Sequence, residues 1–438
     1  MTPSPTTVEL LKTSPRAHVP VLIVGAGQGG LSLSYLLQQQ GVEHLILEKN
    51  RIAHSWRSER WDSFCLVTPN RQCRLPGFSY GDEYGGSDPH GFMLKDEIVQ
   101  FLERYAEMVA PPIREGVAVT KISKRPGGGF EVQATDGFYT ADEVVVAISG
   151  YHIPIVPRPG AALPADILEV QSLDYRNPDD LPEGAVLVVG SGQSGCQIAE
   201  DLHLAGRKVH LAVGDAPRAP RVYRGRDSTD WLEEMGHYDM PISEHPSSAK
   251  VRQNENHYLT GRDGGREIDL RKFALQGMKL YGMLEAIQGH EIRFKPDLTH
   301  HLDQADATFV RIRNTIDAYI AREGIEAPQE PDYAPCWAPD VDPTLLDMKA
   351  ENIRSVIWCT GFRMDFSFID LPVFDGRGYP GHERGISAQE GLYFIGLPWL
   401  HTWGSGRFAG VARDATHIVD RIVARVRSAA LRPATLNG

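Results

Sequence analysis

A strand–turn–helix–strand unit occurs twice in this sequence, 165 residues apart, and that duplication constrains the fold more than any other feature. The first copy opens with Val21-Leu22-Ile23-Val24, an apolar run too uniform for a half-exposed strand. It enters Gly25-Ala26-Gly27-Gln28-Gly29-Gly30, a G-x-G-x-x-G match, followed by Leu33, Leu36 and Leu37 on one helical face. Gly41 is placed to end that helix in a left-handed conformation, and Leu45-Ile46-Leu47 forms the next strand with Glu48 at its end. The second copy runs through Leu187-Val188-Val189 into Gly190-Ser191-Gly192-Gln193-Ser194-Gly195. Its helix carries Ile198, Ala199 and Leu202, stops at Gly206 and precedes the strand Val209-His210-Leu211-Ala212-Val213. Gly25, Gly27, Gly30 and Gly41 each have their partner at the same offset, in Gly190, Gly192, Gly195 and Gly206.

A single glycine triplet of this kind is weak evidence of a ligand, but a triplet with strand, helix, glycine stop, second strand and acid is a dinucleotide-binding unit. The first glycine permits the tight turn, the second lets a pyrophosphate approach the backbone, and the third lets helix pack on strand. The helix N-terminus then offers free N–H groups and a positive dipole end to the phosphates. Glu48 is positioned to accept hydrogen bonds from ribose hydroxyls. Its counterpart is Val213, so the second unit lacks the acid that would repel a 2′-phosphate. Arg218, Arg221, Arg224 and Arg226 follow, which favours NADP there, while Asp215 leaves a ribose contact open.

The expected fold class is therefore α/β with two Rossmann-type dinucleotide-binding domains. A first domain at 18–160 and 350–438 is interrupted by a second at 161–349, which carries an insertion at about 221–340 with helices around 270–284 and 303–323. Residues 1–17, rich in Pro, Ser and Thr, read as a disordered tail. The formal net charge of -12 disfavours nucleic acid and anionic membrane as partners. With no apolar run of membrane-spanning length, the expected location is cytoplasmic, and the helical insertion leaves room for a homodimer interface. The five cysteines, Cys65, Cys73, Cys196, Cys336 and Cys359, contain no C-x-x-C or C-x4-C pair, so neither a metal site nor a redox-active dithiol is expected.

Two further strands, Val144–Ile148 ending in Ser149-Gly150 and Ser355–Cys359 ending in Thr360-Gly361, are candidates to close the two nucleotide sheets and turn beside the ligands. A third, Leu392–Ile395, ends at Gly396 and leads to Trp399, His401, Trp403 and Gly404-Ser405-Gly406-Arg407, a loop suited to a flat ring system.

On the two fingerprints, Trp56-Arg57, the Ser149-Gly150 turn and Trp358-Cys359-Thr360-Gly361-Phe362, the chain resembles the flavin-containing monooxygenase-like flavoproteins, and within them a bacterial subfamily often encoded near a nitrilase. The resemblance implies FAD in the first unit, held by Gly25, Ala26, Gly27, Gly30, Glu48 and Lys49, with Trp56 and Arg57 lining the flavin and Val119 meeting the adenine through its backbone. It implies NADPH in the second, held by Gly190, Gly192, Gln193, Ser194, Gly195 and Arg218, with Gly150, Thr360, Gly361, Gly396 and Arg407 completing the cofactor contacts. Asn70, Trp61 and His401 are the catalytic candidates, Asn70 by likeness to an asparagine that hydrogen-bonds near the flavin peroxy group. The implied activity is NADPH- and oxygen-dependent hydroxylation of a small nucleophilic metabolite through a flavin 4a-hydroperoxide. The family's F-x-G-x-x-x-H-x-x-x-[YF] signature is not kept: between Ala165 and Tyr175 only Tyr175 fits, and Gln171 stands where the histidine would be. A flavin oxidoreductase without oxygen insertion, or a slow redox sensor, therefore stays open.

Overall fold

A computed structural model of the chain describes residues 17–253 and 256–430. The expected tail lies outside the described residues except for Ala17, which opens the first strand. The first sheet runs in the order Ile369–Asp370, Val119–Lys124, Phe130–Ala134, Gly137–Val146, Ala17–Val24, His44–Glu48, Ile113–Glu115, with Leu392–Phe394 also parallel to Gly137–Val146. Ala17–Val24 is central and parallel to both neighbours. The uniform apolar run is explained by cover on both faces. Val21, Ile23 and Ile46 pack with Leu31, Leu33 and Leu37 of the helix Gln28–Gln39 and with Ile418 and Ile422 of the C-terminal helix. Leu22, Val24 and Leu47 pack on the other side with Phe130, Val132 and Phe394.

The second sheet has five strands, all parallel: Leu168–Gln171, Ile353–Trp358, Ala185–Val189, Val209–Ala212 and Lys279–Tyr281. The boundary expected at 350 therefore falls too early, because Ile353–Trp358 lies beside the fingerprint strand of the second unit, as Gly137–Val146 lies beside that of the first. A buried parallel strand reads alike in either sheet, and only the pairing assigns it. The insertion is likewise interrupted. Lys279–Tyr281 returns to the second sheet, and Leu284–Gln288, Glu291–Phe294 and Leu345–Asp347 form an antiparallel sheet. The helix expected around 270–284 is confined to Leu270–Leu275, since Gly277 at φ +104° turns the chain into strand. The second expected helix spans Leu298–Glu323 and ends at Gly324 with φ +65°.

The two units are clamped by a buried carboxylate. Asp201, on the helix Gln193–Leu204, accepts from the Tyr175 hydroxyl at 2.6 Å, from the Arg262 guanidinium at 2.5 Å and from the Ser63 hydroxyl of the first unit. Tyr175, the one residue that kept the family signature, thus ties the segment after the strand Leu168–Gln171 to the helix of the second glycine turn.

Candidate active site

The two glycine turns are near copies. Gly25 has φ +102° and Gly190 φ +103°, and their N–H groups donate to Leu47 O at 2.8 Å and Ala212 O at 3.0 Å. A Cβ at Gly25 would lie 2.8 Å from Ala147 O, and one at Gly190 2.5 Å from Cys359 O. At Gly30 and Gly195 it would overlap the carbonyls of Gly25 and Gly190. Those four positions are closed by the protein itself. At Gly27 a Cβ would meet nothing within 4 Å, and Gly27 and Gly192 are the extended N-cap residues of their helices, at φ -73° and φ -66°, with no side-chain cap. The middle glycine of the first turn thus borders an open cradle, and both turns lead into an uncapped helix N-terminus, which fits a pyrophosphate. Ala26, Gln193 and Ser194 lie at the same two helix starts.

Glu48 holds the first turn, its carboxylate accepting from Ala26 N–H and Asn50 N–H, both at 2.8 Å. Val117 N–H donates to Glu48 O at 2.9 Å, which brings the Gly116–Val119 segment alongside. Lys49 is exposed next to it. In the second unit Val213 is buried, and Ser191 Oγ accepts instead from Gly214 N–H at 3.0 Å.

The closing strands turn at equivalent places. Ala147 N–H donates to Val24 O and Cys359 N–H to Val189 O, both at 2.8 Å. Beyond them Ser149 has φ +64° and Gly361 φ +85°. A Cβ at Gly150 would come within 2.7 Å of Met364, whereas Thr360 Oγ1 donates to Ile155 O and Ile155 N–H to Gly361 O at 3.0 Å. The two turns are thereby joined through the crossover chain.

Matching glutamines carry the turns to the loops above them. Gln28 Nε2 donates to Gly406 O at 3.2 Å, and Gln193 Oε1 accepts from Leu259 N–H at 3.1 Å. Arg407 donates to Asn256 Oδ1 at 3.0 Å and lies over the Trp403 ring. Trp56 stacks on Phe408 with ring centroids 5.9 Å apart, and Arg57 is ion-paired with Glu103. Gly396 ends its strand at φ +81°, with open space where a Cβ would be. One loop cluster therefore bridges both helix N-termini.

The catalytic candidates are placed differently from expectation. Asn70 is buried with both ends of its amide in use: Nδ2 donates to Asp88 O at 2.9 Å and Oδ1 accepts from Met93 N–H at 2.7 Å. It pins the loop and does not present a free amide to a flavin. Asn70→Ala is expected to lower unfolding stability by about 1–3 kcal/mol, the cost of one stranded buried polar group. Chemical denaturation measures it, and the ratio of NADPH consumed to product formed should stay that of the unmodified enzyme. Trp61 is a core residue, edge-on to Phe64 at 4.9 Å and beside Tyr175. His401 N–H donates to Ser405 Oγ at 3.0 Å, and its imidazole pKa is lowered, by burial first and then by Arg384, with Asp414 acting against them.

Arg218 is also corrected. It is buried in a carboxylate cluster, 2.9 Å from Asp306, 3.0 Å from Glu267 and 3.4 Å from Asp269. Arg221, Arg224 and Arg226 are paired with Asp227, Asp317 and Glu234. None of the four is free for a 2′-phosphate. Arg218→Ala strands buried acids and is expected to cost about 3–5 kcal/mol of stability. A thermal melt reads that loss, whereas a large rise in NADPH KM without destabilisation would restore Arg218 to the cofactor.

Among the described cysteines, Cys65, Cys73, Cys196 and Cys359 are buried free thiols and Cys336 is exposed. Burial pushes the Cys65 thiol up to about 11 and the other three buried thiols upward as well, so these four are protonated and poor nucleophiles at neutral pH. No described helix is long and apolar enough to cross a membrane.

Two nucleotide cradles of the same build, facing one loop cluster, define a dinucleotide-dependent oxidoreductase. The family profile of the pyridine nucleotide-disulphide oxidoreductases matches residues 22–308, and the chain belongs to that family. An uncharacterized CzcO-like oxidoreductase of Geobacillus kaustophilus is 32% identical over 408 residues, covering 92% of this chain and 98% of that protein. A probable indole-3-pyruvate monooxygenase of Arabidopsis thaliana is 31% identical over 201 residues, covering 45% of this chain and 47% of its own length. The solved flavin-containing monooxygenase of Stenotrophomonas maltophilia superposes with a TM-score of 0.63 at 18% identity, over 94% of this chain and 99% of that one. The resemblance read from the sequence is borne out at the level of family and fold, and the protein is a flavin-dependent oxidoreductase with FAD and NAD(P)H as cofactors.

Proposed function

We propose that the protein is an NADPH-dependent FAD monooxygenase that hydroxylates a small nucleophilic metabolite, with nitrogen among the candidate atoms. The observation that carries this is the shared loop cluster: Gln28 and Gln193 lead from the two cradles to Gly406 and Leu259, and Arg407 and Asn256 join across the gap. FAD held at Gly27 and NADPH held at Gly192 would bring their rings together there. Bound FAD supplies hydride acceptance and oxygen activation. The chain's own part is to bind the phosphates at two helix N-termini, orient both rings and exclude water with Trp56, Phe408 and Trp403. Four protonated, buried thiols offer no dithiol to receive the electrons, which favours a diffusible acceptor such as oxygen over a protein disulfide. Preference for NADPH over NADH rests on Val213 alone, now that the arginines are accounted for.

The balance is one substrate, one O2, one NADPH and one proton giving hydroxylated product, NADP+ and water. Turnover in air with candidate amines, thioethers and carbonyl compounds tests it. Substrate-dependent NADPH oxidation with equimolar oxygenated product is expected. Peroxide formation with every candidate would instead support an oxidoreductase that does not insert oxygen, and a kcat/KM favouring NADH would remove the nucleotide preference.

A further inference from the structure

Two arginines near the two glycine turns, Arg407 and Arg60, lack the carboxylate partners that other interior arginines have. Arg407 is half-buried and enclosed by protein, and its guanidinium lies over Trp403, which itself stacks on Tyr238 with centroids 4.2 Å apart. One of its five N–H donors is given to Asn256. Among the described residues no carboxylate pairs with it, and none of its nitrogens is sealed away unpartnered. Arg60 is similar. It packs on Trp56 and Phe64, donates to the Glu59 carbonyl at 2.8 Å and forms no carboxylate ion pair among the described residues. The two cations belong to one wall, since Trp56 carries Arg60 on its ring and stacks on Phe408, the neighbour of Arg407, and Tyr151 lies near both guanidiniums.

The contrast with the other interior arginines is informative. Arg218, Arg221 and Arg271 are each met by carboxylates. An enclosed cation without a counter-ion is costly unless an anion arrives to meet it. Desolvation pulls both Arg60 and Arg407 below the ordinary arginine pKa, against the opposing pull of Glu59 and Tyr151 on Arg60 and of Tyr151 and Tyr238 on Arg407.

We propose that Arg407, backed by Arg60, receives the carboxylate of the substrate, so that the substrate is a small carboxylic acid whose reacting atom is presented to the flavin from this wall. This rests on the monooxygenase assignment above. Dinucleotide phosphates are the other source of the same chemistry, but the helix N-termini at Gly27 and Gly192 suit those, whereas Arg407 joins Asn256 beside the loops that Gln28 and Gln193 contact. His257, close to Arg407 and held down to about 4 chiefly by burial, is neutral at pH 7 and adds a hydrogen-bonding group without adding charge. The aromatic stack Tyr238–Trp403 holds the guanidinium in place through its contact with the Trp403 ring.

Titration of the oxidised holoenzyme with benzoate, phenylpyruvate and 2-oxobutanoate, followed by flavin absorbance and tryptophan fluorescence, tests the proposal, with benzamide as the uncharged control and NADP+ titrated in parallel. At least one carboxylate is expected to bind while benzamide does not. Arg407→Met should raise its Kd about tenfold to hundredfold, the loss of a charge-assisted hydrogen bond. The Kd for NADP+ should move by less than about threefold. Arg407→Lys should recover part of the affinity, and Arg60→Met gives the same reading should Arg407→Met not fold. If NADP+ affinity falls and carboxylate affinity does not, the arginines serve the dinucleotide and the proposal is overturned. It is equally overturned if no carboxylate of the panel binds the unmodified protein. Failure of the monooxygenase assignment would show separately, as carboxylate binding with NADPH oxidation that yields only peroxide and no oxygenated product.

Discussion

Gly27→Val is expected to purify as a folded protein that has lost its yellow colour. A Cβ at Gly27 meets no protein atom within 4 Å, and the backbone at φ -73° and ψ -173° is one that valine adopts readily. Nothing in the fold therefore requires glycine at this position. The pyrophosphate does, because two branched methyl groups would occupy the space through which it reaches the helix N-terminus. Overlap of this kind costs about 1–3 kcal/mol, enough to weaken binding roughly tenfold to hundredfold. Gly30→Val makes the contrast. Its side chain would overlap the Gly25 carbonyl, so that variant should fail to fold rather than fold empty. Flavin content per folded protein, with circular dichroism as the control, separates the two. Full flavin occupancy in Gly27→Val would remove the first cradle from the cofactor.

Gly192→Val should give the complementary phenotype: a yellow protein that NADPH no longer reduces efficiently. The second turn matches the first in the φ of its opening glycine, +103° against +102°, and in the extended backbone of its middle glycine, φ -66° against -73°. The same overlap, again about 1–3 kcal/mol, should raise the apparent Kd for NADPH tenfold to hundredfold. Dithionite, which needs no nucleotide site, should reduce the flavin of this variant as fast as that of the unmodified protein. A normal NADPH response would mean that the second cradle is structural only.

The duplicated core was legible because its information is local. Gly41 and Gly206 end their helices at φ +66° and +78°, and the turn glycines pack as their spacing requires. What was not legible depended on partners remote in the chain. Arg218 beside a nucleotide strand looks the same whether it awaits a phosphate or an Asp306 that lies 88 residues onward. Asn70 resembled a catalytic amide until the Asp88 and Met93 backbone groups took both its ends. Ile353–Trp358 was assigned to the wrong unit because a strand buried on both faces carries no mark of which sheet it enters. Arg60 was missed altogether. It sits between the residues Trp56-Arg57 and Trp61, and only its three-dimensional setting, on the Trp56 and Phe64 rings with no carboxylate ion pair among the described residues, distinguishes it.

The central claim is that two dinucleotides meet in one cleft and exchange electrons there. Anaerobic addition of stoichiometric NADPH to the purified yellow protein, followed by the visible flavin absorbance, tests it most directly. Rapid loss of that band is predicted, with a slower or weaker response to NADH. A flavin that stays oxidised with both nucleotides, yet bleaches with dithionite, would contradict the account.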